Sequence, residues 1–208
     1  MRKIILFCLA VVIIAVAGQI YFKAQTNKRS LPVEGKIVCF GDSLTSGVGA
    51  TEGQAYPDQL AAMISRPVIN AGRSGDTTRS AAARLQSDVL SHAPAIVIVA
   101  LGGNDLMRGI SKDVAFGHLK AMVVTIQDHG ALVVVGGIDV PLWGKGYGDM
   151  YRALCRETEA VCVANILEDI WGHRSLMSDT IHPNDAGYRR MAEKFYHALK
   201  PYLVSVQK

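Results

Sequence analysis

The chain of 208 residues is half apolar and 19% charged, with 22 basic against 18 acidic residues and a formal net charge of +4. That length suits one ordinary domain, and that balance excludes a disordered or collagen-like chain. So small a basic excess gives no nucleic-acid footprint, four cysteines are too few for a disulfide scaffold, and no close Cys or His cluster points to a metal.

At the amino terminus, Met1-Arg2-Lys3 is followed by nineteen residues, 4–22, before Lys23. As a helix they would span roughly 28 Å at 1.5 Å per residue, close to the ~30 Å hydrocarbon core of a bilayer. Two readings stand side by side. A cleaved signal peptide would use Ala15-Val16-Ala17 as its small-residue cut, leaving Gly18 as the new start. A retained anchor would place Tyr21 and Phe22 at the interface, with Lys23 beyond them. Leu6-Phe7-Cys8 lacks the small residue expected before a lipidated cysteine, which argues against a lipoprotein. In either case the folded part lies outside the cytoplasm, periplasmic or anchored in the inner membrane. The expected organisation is a leader or anchor over 1–23, a polar linker over 24–35 and one domain over 36–208.

From Lys36 onward, short β-branched runs alternate with helical patterns. Strands are predicted over 36–39, 68–70, 96–101, 132–135 and 161–164, and helices over 56–64, 77–91, 112–128, 149–159 and 186–199. Continuously apolar strands are those buried on both faces, as in a parallel sheet covered by helices. Successive βα units therefore predict an α/β three-layer sandwich around a five-stranded parallel sheet, with right-handed crossovers. In such a sheet ligands sit beyond the carboxyl ends of the strands.

The chemistry-bearing residues fall there. The first strand runs into Gly41-Asp42-Ser43-Leu44, which offers Ser43 as a nucleophile or as a helix N-cap. Gly47-Val48-Gly49 is no dinucleotide fingerprint, because Glu52 takes the third glycine position. The second strand opens into Ala71-Gly72-Arg73-Ser74-Gly75-Asp76, where a glycine N–H can face a developing negative charge. The ordinary alternative is a turn in which Asp76 or Ser74 caps the next helix. The third strand ends in Gly102-Gly103-Asn104-Asp105, whose Asn104 amide is a further donor or a further cap. Near the end, Asp179-Thr180-Ile181-His182-Pro183 sets a histidine three residues after an aspartate, the spacing of a base held in one tautomer by a carboxylate. Pro183 is placed at the start of the final helix.

These four blocks, in this order, resemble the SGNH hydrolases, or GDSL esterases and lipases, and within them the small bacterial arylesterase, thioesterase and lysophospholipase branch. The resemblance runs from Lys36 to Leu203. It implies a flavodoxin-like fold and a Ser43, His182, Asp179 triad. It also implies an oxyanion hole made by the Ser43 and Gly75 N–H groups and the Asn104 side chain. No cofactor or metal is implied. Position 45 is threonine rather than glycine, so the serine does not sit in the Gly-x-Ser-x-Gly elbow of the α/β-hydrolases.

The substrate is less legible. The segment 136–148 is glycine-rich and carries Leu142, Trp143 and Tyr147, which are expected to line an acyl pocket or else to cover the core. Residues 106–110, just after Asn104, offer a second apolar wall. A membrane-facing site favours lysophospholipids or medium-chain acyl and aryl esters. The alternatives are an O-acetyl esterase of cell-envelope carbohydrate and a catalytically idle, membrane-tethered lipid- or sugar-binding protein. The expected partners are a small acyl ester or lipid and, through an uncleaved segment, the membrane; nucleic acid is not expected, and the chain is expected to be monomeric. Cys155 and Cys162 are expected either as free thiols or as a disulfide.

Overall fold

A chain rich in valine and isoleucine at its strand positions builds its sheet from the middle outward. Central strands β1 (Ile37–Gly41) and β3 (Ile96–Ala100) are buried along their whole length. β4 (Leu132–Gly136) is nearly so, while the edges β2 (Val68–Gly72) and β5 (Val161–Val163) are half-exposed. All neighbours are parallel, in the order β2-β1-β3-β4-β5. The five-stranded parallel sheet is therefore as the sequence predicts. Gly41 pairs with Gly72 on one side and Ala100 on the other, so the carboxyl ends of three strands finish level. The chain steps to β2 on one side of β1 and returns to β3 on the other. The crevice of an open α/β sheet forms at such a reversal, here above β1 and β3.

The structure, a computed structural model, describes residues 35–140 and 146–203. The segments read as a leader or anchor (1–23) and as most of the linker lie outside the described residues, as do Leu142 and Trp143. Among the described residues no helix is long and apolar enough to cross a membrane. The chain divides into two units, Glu34–Lys200 and a second made of Met1–Val33 with Pro201–Lys208. The sheet, its helices and the four sequence blocks lie in the first.

Its helices are α1 (Ser43–Ser46), α2 (Tyr56–Ile64), α3 (Thr78–Ala83), α4 (Leu85–Asp88), α5 (Gly103–Met107), α6 (Lys112–Asp128), α7 (Tyr147–Thr158) and α8 (Asp185–Leu199). α2 packs on α8, where the Tyr56 and Phe195 rings lie 4.9 Å apart. α3 and α7 both pack on α6. Right-handed crossovers on either side of the reversal put these two groups on opposite faces, which makes the three layers. The buried stripe of α6, Ala115, Leu119, Met122, Val123 and Ile126, recurs at helical spacing.

Three features depart from the predicted elements. The helix expected over 77–91 is broken into α3, α4 and a 3-10 turn at Leu90–His92, with Arg84 between the first two at φ −110°, ψ 7°. Arg84 turns inward there to reach the ends of β1 and β2, a tertiary demand that the apolar periodicity does not encode. The single-turn helices α1 and α5 were not predicted, because four or five residues are too short to display a period. α7 begins two residues earlier than expected, behind a left-handed Gly146. No disulfide joins Cys155 and Cys162: both are free, the first buried and the second exposed.

Candidate active site

The segments leaving β1, β2 and β3 each carry one of the predicted residues. β1 runs into α1, whose first residue is Ser43. Asp42 caps that helix, its Oδ1 accepting from the Leu44 N–H at 3.0 Å. The capping alternative for Ser43 therefore falls to its neighbour, and the serine hydroxyl is left for other work. A Cβ on Gly72 would collide with Ser46 N of α1, so glycine at 72 serves the close approach of α1 to β2.

Gly75 lies at the tip of the next loop with φ +83°, a left-handed conformation that suits glycine. The helix after it begins at Thr78, capped by Thr77 in a capping box with Ser80. Neither Asp76 nor Ser74 is the cap. Asp76 instead accepts from Ser80 Oγ at 2.9 Å and from Arg84 Nε at 2.6 Å. Arg84 is the functional-looking residue that sequence reasoning missed. Buried with Asp76, it also donates to Gly41 O and Ala71 O, both at 2.9 Å, and lies over the Phe40 ring.

Asn104 is the second residue of α5. Its Nδ2 donates to Asp76 O at 2.9 Å and lies 3.4 Å from Asp42 Oδ2. The second contact is long for an N–H···O bond and is the weaker of the two. Among the described residues no acceptor is paired with the backbone N–H of Ser43 or of Gly75. Ser43 and Asn104 line one groove, and Asn104 is bonded to the carbonyl of the residue that follows Gly75.

The late loop is pinched by an antiparallel bridge between Met177 and Pro183. Asp179 Oδ1 accepts from the Ile181 and His182 N–H groups at 2.6 and 2.7 Å. Its Oδ2 lies 2.8 Å from His182 Nδ1, and His182 Nε2 lies 3.0 Å from Ser43 Oγ. The hydrogen bonds from the His182 side chain and from these two backbone groups hold the Asp179 carboxyl down at about 2. A carboxylate only accepts, so Nδ1 carries the proton and Nε2 presents its lone pair to the serine. Asn184, not Pro183, caps α8, and Pro183 precedes the cap. Thr51 donates to Asp185 through both N–H (2.7 Å) and Oγ1 (2.8 Å), and the Tyr188 hydroxyl donates to Val48 O at 2.7 Å. The segment after α1 is thereby strapped to α8, the helix that follows the histidine loop.

Asp42, at the floor, moves the other way. Burial pushes its carboxyl up to about 7, against the Leu44 N–H and His182 and aided by Asp76 and Asp105. No group of three or more potential metal ligands gathers among the described residues.

Beside Ser43 and Asn104 lies a narrow apolar groove of about 40 Å³ walled by Leu44, Leu106, Met107, Ile138, Val140, Leu167, Trp171 and Ile181. The predicted wall after Asn104 is present. Tyr147 takes the second of its two expected places, in the core. It heads α7 with its ring buried against Phe116 (5.6 Å) and near Tyr151, and it does not line the groove. The amphipathic face of α7 claims it for the core. Leu167 and Trp171, which do line the groove, were missed. They follow β5, and the strand-end rule applied to a fifth strand would have found them.

The sequence model of the GDSL-like lipase/acylhydrolase family matches residues 39–190. An arylesterase of Vibrio mimicus is 33% identical over 76% of this chain and 84% of its own. A thioesterase 1/protease 1/lysophospholipase L1 of Escherichia coli K12 is 28% identical over 79% of this chain and 83% of its own. Among solved structures, a crystal structure of TesA superposes with a TM-score of 0.76 at 29% identity, covering 81% of this chain and 99% of that one.

Proposed function

The chain belongs to the GDSL-like lipase/acylhydrolase family and is a carboxylic ester hydrolase, and from that premise we propose that it works by acyl transfer to Ser43. His182 Nε2 takes the hydroxyl proton as Ser43 Oγ attacks the ester carbonyl carbon. Asp179 holds His182 in the reactive tautomer and stabilises the imidazolium. The Ser43 and Gly75 N–H groups and the Asn104 amide receive the carbonyl oxygen as it becomes an oxyanion. Collapse of the tetrahedral adduct expels the alcohol or thiol, protonated by His182, and water then releases the acyl group by the same steps. The observation that carries this reading is the chain of contacts from Asp179 through His182 to Ser43, 2.8 and 3.0 Å long, beside a Ser43 N–H that has no partner among the described residues.

The acyl group is assigned to the groove of Leu106, Met107, Ile138, Val140, Leu167 and Trp171. Its apolar walls suit acyl chains of thio-, aryl or lysophospholipid esters, in keeping with what the relatives are named for. A second reading, an O-acetyl esterase of cell-envelope carbohydrate, is favoured by one observation. About 40 Å³ holds only a few heavy atoms. Residues 1–23 are proposed to carry the enzyme out of the cytoplasm as a leader or anchor, with 24–35 as linker and 36–208 as the catalytic domain. Mass spectrometry of the mature amino terminus decides between the two, since a start at Gly18 removes the anchor.

The test is a p-nitrophenyl ester series, acetate to palmitate, with the full chain and its Ser43→Ala variant. Turnover that peaks beyond acetate and falls by about 10^4-fold or more in the variant is the expected result. Activity confined to acetate selects the deacetylase. Turnover that survives in the variant would sink the Ser43 mechanism, and none in either protein would bring the idle binding protein forward.

A further inference from the structure

The loop that carries Gly75 is tied down at both ends, is closed by a turn in which the Asp76 N–H donates to Arg73 O at 3.2 Å, and is held from outside at its tip by one side chain. At its start the Arg73 N–H donates to Gly41 O at 3.0 Å. At its end Asp76 O accepts from Asn104, and Asp105 accepts from the Thr78 N–H and Oγ1 at 2.8 and 2.7 Å. The tip is glycine, the residue with the widest backbone freedom. Its carbonyl accepts from a single described partner, Arg108 Nη2, at 2.9 Å. Arg108 is the C-cap of α5, and its own N–H donates to Asn104 O. One helical turn therefore presents two donors four residues apart, and these receive the consecutive carbonyls of Gly75 and Asp76.

We infer that Arg108 is a positioning residue for ester hydrolysis: its guanidinium holds the Gly75 carbonyl, in the peptide that follows Gly75, and so limits the rotation about the glycine Cα that would turn the Gly75 N–H, in the peptide before it, away from the oxyanion. The inference rests on the reading of Gly75 as an oxyanion donor. Oxyanion stabilisation depends on donors oriented before the charge develops, so a tip free to rotate loses turnover without losing substrate affinity. The side chain is exposed, and an exposed tether of this kind contributes little to the stability of the fold. A purely structural role is thus separable from a kinetic one.

The experiment compares the full-length chain with its Arg108→Ala and Arg108→Lys variants on p-nitrophenyl butyrate, which is neutral, and on butyryl-CoA, which is polyanionic. Arg108→Ala is expected to lower kcat about 10- to 100-fold on both substrates, less than outright loss of a donor. KM is expected to change by no more than about twofold, as for an interaction made in the transition state. Arg108→Lys, or millimolar guanidinium added to Arg108→Ala, is expected to restore part of the lost kcat while the melting temperature stays at the wild-type value. Wild-type kcat in Arg108→Ala overturns the inference. So does a defect confined to KM for butyryl-CoA, which would make Arg108 a contact for substrate charge. A kcat loss that neither lysine nor guanidinium relieves overturns it too. Ser43→Ala and Asn104→Ala run in parallel separate the two readings. If they keep activity, the site assignment itself falls; if they lose it while Arg108→Ala does not, only the role of Arg108 falls.

Discussion

The floor and the rim of the site hold similar residues in opposite conditions. The floor, where β1, β2 and β3 end, buries Asp42, Asp76, Arg84, Asn104 and Asp105. The rim loop carries an Asp179 whose side chain is 52% exposed. Asp42 and Asp179 flank the same serine–histidine pair, yet burial pushes one carboxyl up to about 7 while hydrogen bonds draw the other down to about 2. What a carboxylate does is set by the donors aimed at it and by the water it keeps, not by its nearness to the reaction. The floor buries its charges within the fold; the rim keeps the carboxylate charge that the proposed mechanism uses.

The sharpest way to break this comparison is Asp179→Asn. The asparagine oxygen can still accept from Ile181 and His182, but its NH₂ would face Nδ1 and force the wrong tautomer. We expect kcat to fall on the order of 10^3- to 10^4-fold, with urea unfolding at pH 7 shifted only slightly. A large stability loss would show that the rim is structural after all. On the floor, Arg84→Met removes the partner of buried Asp76 and the donor to Gly41 O and Ala71 O. Urea denaturation should show a loss of about 3–5 kcal/mol. A loss under about 1 kcal/mol would mean that water reaches this cluster.

The smallest effect is one of pH. The Asp42 pKa is higher folded than unfolded, so its contribution is fully present below about pH 4 and is lost as pH rises toward 7. Asp42→Asn removes that slope. Relative to wild type, the variant should gain on the order of 1–4 kcal/mol between pH 4 and 8, read as diverging melting temperatures. Parallel curves would mean that Asp42 ionises freely. Asp179 has the opposite sign: its contribution is present above about pH 4 and is lost as pH falls toward 2, so wild type should weaken there as well.

Much of this was legible in one dimension. Apolar runs at strand length fixed the parallel sheet in expectation, because a strand covered on both faces has no polar side to show. The blocks at Ser43, Gly75, Asn104 and Asp179–His182 were legible because each lies just beyond a strand or in a tight turn, where glycine, asparagine and aspartate have few other reasons to cluster. The Asp179–His182 pairing is local, three residues apart, and needs only its own loop. Gly75 could be told from Gly72 only by resemblance; in the structure Gly72 packs against α1 and Gly75 turns at the loop tip.

What the sequence by itself determined is thus the class of fold and the kinds of group brought to the strand ends, since both follow from periodicity and from short-range turn chemistry. Only the tertiary structure decided which neighbours those groups meet. Arg84 broke a helix to reach two strand ends, and Tyr147 went to the core while Trp171 came to the groove. Arg108 reached across 33 positions to the Gly75 carbonyl. Such contacts depend on crossovers tens of residues long, and no local pattern records where a side chain lands once the chain has returned.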